Sequence, residues 1–186
     1  MAAGFPPAAA TPPALSDSLR ARGIALRPAA TGDLPFLRDL FADFRAIELA
    51  LTPWSEAQKR AFTDDQFRLQ HLHFTRHHAR ANFWVTVQAL PLGPSRAIGR
   101  LYLDRSTRDW QIIDIGFAAE SRGQGLGHLM LKWIQQSAAA AEAGSVRLQV
   151  ASNNPRAHAL YARLGFRDDG DGGETHQPMA WRPQVS

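Results

Sequence analysis

Apolar and polar positions alternate in two distinct periods from Ile24 onward. A short extended run over 24–28 leads into Ala-Thr-Gly-Asp, where Thr31 or Asp33 is placed to cap a helix. Leu34, Leu37, Phe41, Phe44, Ile47 and Leu51 then recur at three- and four-residue spacing, the signature of one buried helix face. Thr52 and Pro53 predict a second helix, with Thr52 as N-cap and Pro53 in the first helical position, running to about Arg80. Strand-like runs follow at 83–90, 96–103 and 110–117. Their short connections predict an antiparallel meander. A glycine-rich loop at 121–127 opens into a helix over 125–143, whose apolar side carries Leu126, Leu129, Met130, Trp133 and Ile134 and which Gly144 stops. Residues 145–151 read as a strand parallel to 110–117 through a right-handed crossover. A helix over 155–164 ends at Gly165, and a terminal hairpin closes near Trp181.

Composition narrows the class. A chain of 186 residues with 45% hydrophobic and 20% charged residues can bury one domain's core. Residues 1–20 are Ala/Pro-rich and nearly without large apolar side chains, so they are expected to be a disordered leader before a single domain over 21–186. Cysteine is absent, which excludes a disulfide scaffold, a thiolate metal site and a cysteine nucleophile. No apolar run approaches the roughly 20 residues of a membrane span, and no membrane partner is expected. The start of the chain lacks a positive, then apolar, signal segment, so a cytoplasmic location is the default. The net charge of +4 is scattered, which suits an anionic small ligand and does not suggest nucleic acid.

The densest chemistry lies in Ser121-Arg122-Gly123-Gln124-Gly125-Leu126-Gly127, between a strand and an amphipathic helix. Alternate glycines leave backbone N–H groups free to converge at the positive end of the helix, where a phosphate or pyrophosphate binds. Arg122 adds a full charge. The loop is not a P-loop, since no Gly-Lys-Ser/Thr follows, and its glycines do not fit Gly-x-Gly-x-x-Gly. A ligand-free strand–helix turn is the competing reading.

Arg122, Gly125 and Gly127 fit Gln/Arg-x-x-Gly-x-Gly/Ala. Downstream, Asn154, Ala157, Tyr161, Gly165 and Phe166 fit Asn-x-x-Ala-x-x-x-Tyr-x-x-x-Gly-Phe. The pair of motifs and the order of elements resemble the GNAT superfamily of acyl-CoA-dependent N-acyltransferases over nearly all of the chain outside the leader. The family often has proline three residues before the motif arginine, where this chain has Ala119. The resemblance implies an α/β (α+β) fold: a mixed, mostly antiparallel sheet of six to seven strands, splayed at a central parallel pair and flanked by about four helices. It implies acetyl-CoA as co-substrate, an amine acceptor on a small molecule or protein, and no metal. A monomer or homodimer is expected.

By the same resemblance, Gly123, Gln124, Gly125, Leu126 and Gly127 hold the pyrophosphate with Arg122. The pantetheine arm lies beside Ile115, Phe117 and Ala119, with Asn154 and Ala157 completing its path. Tyr161 is the implied acid that protonates the leaving thiolate; a packing tyrosine is the alternative. Asp114, flanked by Ile112, Ile113 and Ile115, is the candidate base. Asp109, Gln111, a water chain or a purely structural Asp114 remain open. The acceptor side draws on Glu48, Trp54 and His73 first, with Phe67, His71, His176 and Trp181 as further candidates. His73 and His77 share a helical face, but no His-Glu-x-x-His arrangement exists and Arg76 intervenes, so a solvated face or pocket wall is the reading. An acyl-CoA-binding sensor or adaptor with little turnover is the rival function.

Overall fold

Seven strands and five helices alternate in the computed structural model, which describes residues 4–7 and 11–183. The strands are β1 (Ile24–Pro28), β2 (Asn82–Gln88), β3 (Arg96–Asp104), β4 (Asp109–Phe117), β5 (Ser145–Ala151), β6 (Arg167–Asp168) and β7 (His176–Trp181). The helices are α1 (Asp17–Arg20), α2 (Leu34–Ala50), α3 (Glu56–His77), α4 (Leu126–Ala140) and α5 (Pro155–Arg163). The sheet order is β1-β2-β3-β4-β5-β7-β6, and only the β4–β5 pairing is parallel. The terminal hairpin folds back so that β7, not β6, pairs with β5.

Strand alternation divides the core into two layers. Trp84 faces the layer built on α4, where Met130 and Ile134 pack against Leu101, Leu103 and Val146. Val85 and Val87 face the opposite layer, with Leu37 and Phe41 from α2 and Phe67 from α3. The helical period read from the sequence thus buries one stripe of α2, and the strand period sorts β2 between both layers.

The helix ends differ in several places. Thr52 does not cap α3; its Oγ1 donates to Leu49 O (2.8 Å) and finishes α2. Ser55 caps α3 instead. Its Oγ accepts from Gln58 N (3.3 Å), while Gln58 Oε1 accepts from Ser55 N (2.8 Å), and this reciprocal pair satisfies two donors where Thr52 would satisfy one. Asp33 sits at the N-cap position of α2 but turns its carboxylate to Arg27 (2.6 and 2.7 Å) and to Ala30 N. The Arg27 hydrogen bond holds the Asp33 carboxyl below its ordinary range. The last helical residue of α4 is Ala140, ahead of Gly144, and the chain turns at Glu142, whose φ of 54° is left-handed.

The expected disordered leader is corrected by its described part. Residues 17–20 form α1, and Leu19 is fully buried in the α4-side core. Trp133 Nε1 donates to Ala14 O (2.9 Å). Phe5 packs its ring 4.9 Å from His71 and 5.7 Å from Phe83 on the other face of the sheet. The rest of that expectation, at 1–3 and 8–10, lies outside the described residues.

Candidate functional site

The parallel pairing of β4 with β5 is short. It joins Asp109, Trp110 and Gln111 to Ser145, Val146 and Arg147, and stops there. Beyond it β5 pairs with β7 up to Ala151, while β4 continues to Phe117 with its β5-facing edge unpaired. A β-bulge lies at the point of divergence. Leu103 pairs with Ile112 and Tyr102 with Asp114, so Ile113 is an extra residue. Such a bulge bends its strand and increases the local twist, which turns β4 away from β5 and opens a cleft.

The bulge also decides where Asp114 faces. In a regular strand Ile112 and Asp114 would share a face. Here Ile112 and Ile115 belong to the α4-side core. Asp114 is carried to the α2/α3 side, opposite Tyr102 and next to Arg100. The buried guanidinium of Arg100 donates through Nη2 to Asp114 Oδ2 and to Gln70 Oε1 of α3 (3.1 Å). The Phe44 ring of α2 lies directly on Gly116, where any Cβ would run into it. It also lies 5.6 Å from the Arg100 guanidinium and 5.0 Å from that of Arg122. Gly116 is therefore glycine because an aromatic ring occupies its side-chain position.

At the open end of β4 the chain passes a 3-10 turn over Ala119–Ser121 and enters the glycine loop. Gly123 and Gly125 have φ of 76° and 77°, and a Cβ on either would meet nothing within 4 Å. The loop is thus a left-handed, open concavity. The first i→i−4 bond of α4 runs from Leu129 N to Gly125 O (3.1 Å), so the amides of Leu126, Gly127 and His128 precede the helical ladder at the positive helix end. Gln124 Nε2 donates to Glu120 O (2.9 Å) and pins the loop.

The cation beside this loop is not the expected one. Arg122 turns back, its Nε donating to Phe117 O (2.8 Å) and its head lying against Phe44. Arg22, between α1 and β1, instead reaches the loop and donates to Gln124 O (2.5 Å).

The other wall comes from α5. Asn154 is its N-cap, with Oδ1 accepting from Ala157 N (3.0 Å). Ala157, Leu160 and Tyr161 pack against the α4-side core, and Leu160 lies under Gly127. Burial first, and then the negative charge of Asp114, push the Tyr161 hydroxyl up to about 12. The hydroxyl therefore keeps its proton to higher pH than an exposed tyrosine does.

A seven-stranded sheet splayed at its parallel pair, with a glycine loop heading the crossover helix, is the frame with which known proteins were compared. The model of the acetyltransferase (GNAT) family matches residues 39–166, more than half of the chain. The chain belongs to the GNAT acetyltransferase family. Its fold is similar to that of PaiA N-acetyltransferase from Thermoplasma acidophilum in complex with coenzyme A (TM-score 0.61, 14% identity, covering 86% of this chain and 99% of that one). It is also similar to spermidine N-acetyltransferase from Vibrio cholerae in complex with CoA and spermine (TM-score 0.58, 22% identity, covering 86% and 95%). A domain from Methanocaldococcus jannaschii aligns as well (TM-score 0.62, 14% identity, covering 86% and 98%). A search of curated proteins found no significant match. As a GNAT acetyltransferase the chain is an acyltransferase that uses acetyl-CoA to acetylate an amine.

Within this GNAT fold the sequence-derived residues separate into two groups. Asp114, Ile115 and Phe117 lie on the part of β4 beyond the parallel pair, the loop follows that strand, and Asn154 and Tyr161 lie on α5. His73 does not join them. Its ring lies tilted against that of His77 (4.6 Å), and both lie near His78, on which the charge of Asp104 at the far end of β3 acts. Phe67 and His71 are core residues stacked on each other at 5.9 Å. Asp109 accepts from Ser145 Oγ (2.7 Å) at the closed end of the parallel pair. Glu48 is an exposed partner of Arg45 (3.2 Å), and Trp54 packs on Phe62 (5.2 Å) in the α2–α3 connection. His176 hydrogen-bonds Thr175 on the exposed hairpin, and Trp181 packs on the core beside Gly165. Among the described residues no three His, Cys, Asp or Glu side chains cluster as metal ligands, and no helix is long and apolar enough to cross a membrane.

Arg22, Phe44, Gln70, Arg100 and Gly116 were not expected at the site. The signal for Arg100 was present: a lone arginine within the apolar run 97–103, one strand away from a lone aspartate within isoleucines.

Proposed function

We propose that the cleft between β4 and β5 performs direct acetyl transfer from acetyl-CoA to a primary amine, with Tyr161 as the acid and Asp114 as the residue that receives the amine. The observation that carries this reading is the edge of β4 left unpaired beyond Gln111, which bears Asp114 and runs into the left-handed glycine loop at the head of α4.

When bound, acetyl-CoA supplies an acetyl group activated as a thioester. The open loop over 123–127 and the amides of the α4 N-terminus suit its pyrophosphate, and Arg22 places a positive charge beside them. The unpaired edge of β4 from Ile112 to Phe117 suits an extended arm that adds to it like a strand. Backbone N–H groups of that edge can polarise the thioester oxygen. Asn154 spends its Oδ1 on the helix cap, so its Nδ2 is the donor left for the arm.

Arg100 occupies Oδ2 of Asp114. Oδ1 then receives the acceptor's ammonium group, which gives up a proton to Asp114 or to water before its nitrogen attacks the carbonyl carbon. As the C–S bond breaks, Tyr161 Oη donates its proton to the sulfur. Arg122 and Phe44, against the end of β4, border the acceptor side. Dependence on acetyl-CoA is in keeping with a cytoplasmic protein.

The polyamine in the Vibrio cholerae enzyme's complex suggests one acceptor class to test. The deciding experiment incubates the protein with acetyl-CoA and a panel of primary amines, polyamines included, and follows free thiol release together with the mass of the amine. An amine that gains 42 Da in step with thiol release, on the order of one acetyl per thiol, supports transfer. CoA binding without any acetylated amine would favour a sensor or adaptor.

A further inference from the structure

Gln124 is held at two points. Its side chain donates to Glu120 O (2.9 Å), and its main-chain carbonyl accepts from Arg22 Nη1 (2.5 Å). Arg22 lies 102 residues earlier in the chain, yet its backbone is fixed where it stands. Its N–H donates to Leu19 O (3.1 Å) at the end of α1, and its carbonyl accepts from Gln88 Nε2 (3.3 Å) of β2. The next carbonyl, that of Gly23, accepts from Ala89 N (2.8 Å). Leu19 itself is fully buried in the core that includes Leu126 and Met130 of α4. Arg22 therefore reaches the glycine loop from a docked element.

The peptide between Gln124 and Gly125 can turn over at little cost. Gly125 has φ of 77°, and glycine adopts positive and negative φ about equally well. Turning that peptide over exchanges its C=O and N–H, which point in opposite directions across a trans bond. One orientation offers the Gly125 N–H to an anion in the loop; the other offers a carbonyl oxygen, which repels it. Among the described residues no backbone carbonyl accepts from Gly125 N, so the backbone of the loop selects neither orientation. Arg22 does select, by drawing Gln124 O toward α1. A cation on the carbonyl also polarises the peptide and makes its N–H a stronger donor.

We infer that Arg22 is a positioning residue for the cofactor: it holds the 124–125 peptide with the carbonyl toward α1, so that the Gly125 N–H is set in advance for the pyrophosphate. This rests on the reading of the loop as the pyrophosphate site. The start of the chain then belongs to the cofactor site, because the docking of Leu19 fixes the place from which Arg22 reaches. Binding is favoured because the donor is already oriented when the ligand arrives.

The test titrates the full chain and its Arg22→Met variant calorimetrically with CoA and with 3′-dephospho-CoA, which keeps the pyrophosphate and lacks the 3′ phosphate. Arg22 is exposed, so the variant should fold. Both ligands should bind it about 10-fold more weakly, the scale of one charge-assisted hydrogen bond, and by the same factor. In the ligand-free variant the Gly125 amide resonance should broaden by exchange as the peptide samples both orientations, which the loss of a direct phosphate contact would not cause. A loss confined to CoA would assign Arg22 to the 3′ phosphate and overturn the inference. Unchanged affinity overturns it too, as does weaker binding with a Gly125 resonance as sharp as in the parent. Gly125→Glu separates the two readings. If it leaves the parent's CoA affinity intact, or if the parent binds neither ligand, the pyrophosphate site is lost and the role of Arg22 with it. If Gly125→Glu abolishes binding and Arg22→Met does not weaken it, the inference about Arg22 fails alone.

Discussion

Arg100 and Asp114 form an ion pair between neighbouring strands that exists because β4 carries one extra residue. Without Ile113 as a bulge, Asp114 would face the α4-side core with Ile112. With it, the carboxylate meets the buried guanidinium of Arg100 on the other face, and Gln70 takes a further Arg100 hydrogen. The same bulge bends β4 away from β5. One backbone irregularity thus opens the cleft and supplies its carboxylate.

Removal of Arg100 should be costly to stability. Arg100→Met leaves Asp114 without its cation at a part-buried position, and losing one member of a buried pair costs about 3–5 kcal/mol. The double variant Arg100→Met/Asp114→Asn should recover part of the loss, because the uncompensated charge is gone. Urea unfolding of the three proteins measures this. Equal stability of Arg100→Met and the parent would mean that the pair contributes nothing.

The first twenty residues are expected to matter to the fold. Leu19→Ala empties a fully buried position, and such changes cost about 2–5 kcal/mol. Deletion of residues 1–20 should cost at least as much, since it also removes the acceptor at Ala14 for Trp133. A deletion that leaves the urea midpoint unchanged would show that this segment does not dock.

Gly125→Glu should abolish most of the affinity for CoA. The substitution forces a side chain into a left-handed position and puts a negative charge in the loop concavity. No neighbouring atom obstructs it, so the fold should survive. Calorimetry showing parent-like CoA affinity in a folded variant would move the pyrophosphate elsewhere.

Stability should fall at alkaline pH through two tyrosines. Burial raises both Tyr102 and Tyr161 from 10.0 to about 12. Between those values the unfolded chain ionises them and the folded chain does not. Their contribution is complete below pH 10 and lost as the pH rises to about 12. Urea midpoints measured across that range should decline more steeply for the parent than for Tyr102→Phe/Tyr161→Phe. Parallel curves would contradict the burial of these hydroxyls.

The sheet and the glycine loop were readable in the sequence because their signals are local. Alternation marked β2 to β5, and the spaced glycines marked the turn into α4. The bulge at Ile113 was not readable, since inserting one residue leaves the composition of a strand unchanged and reverses only its facing. That concealed the Arg100–Asp114 pair. Averaging hid the leader's anchors: Phe5 and Leu19 are few among Ala and Pro. Ser55 and Gln58 carried a capping box that outweighed Thr52-Pro53. Residue type alone points to His73, and no period ties it to the cleft. Phe44, Ile47 and Leu51 matched a buried stripe, and periodicity has no means to tell where the sheet beneath a helix ends.

The role of Tyr161 is the most direct test. Tyr161→Phe keeps the ring that packs 5.8 Å from Phe166 and removes only the hydroxyl. With an acceptor in hand, steady-state and single-turnover rates of thiol release are compared with calorimetric CoA affinity. Loss of a general acid should lower kcat by about 10²–10⁴, with CoA affinity unchanged, so that rate and binding separate. Parent-like kcat in Tyr161→Phe would contradict the assignment and leave water, or the acceptor itself, as the source of the proton.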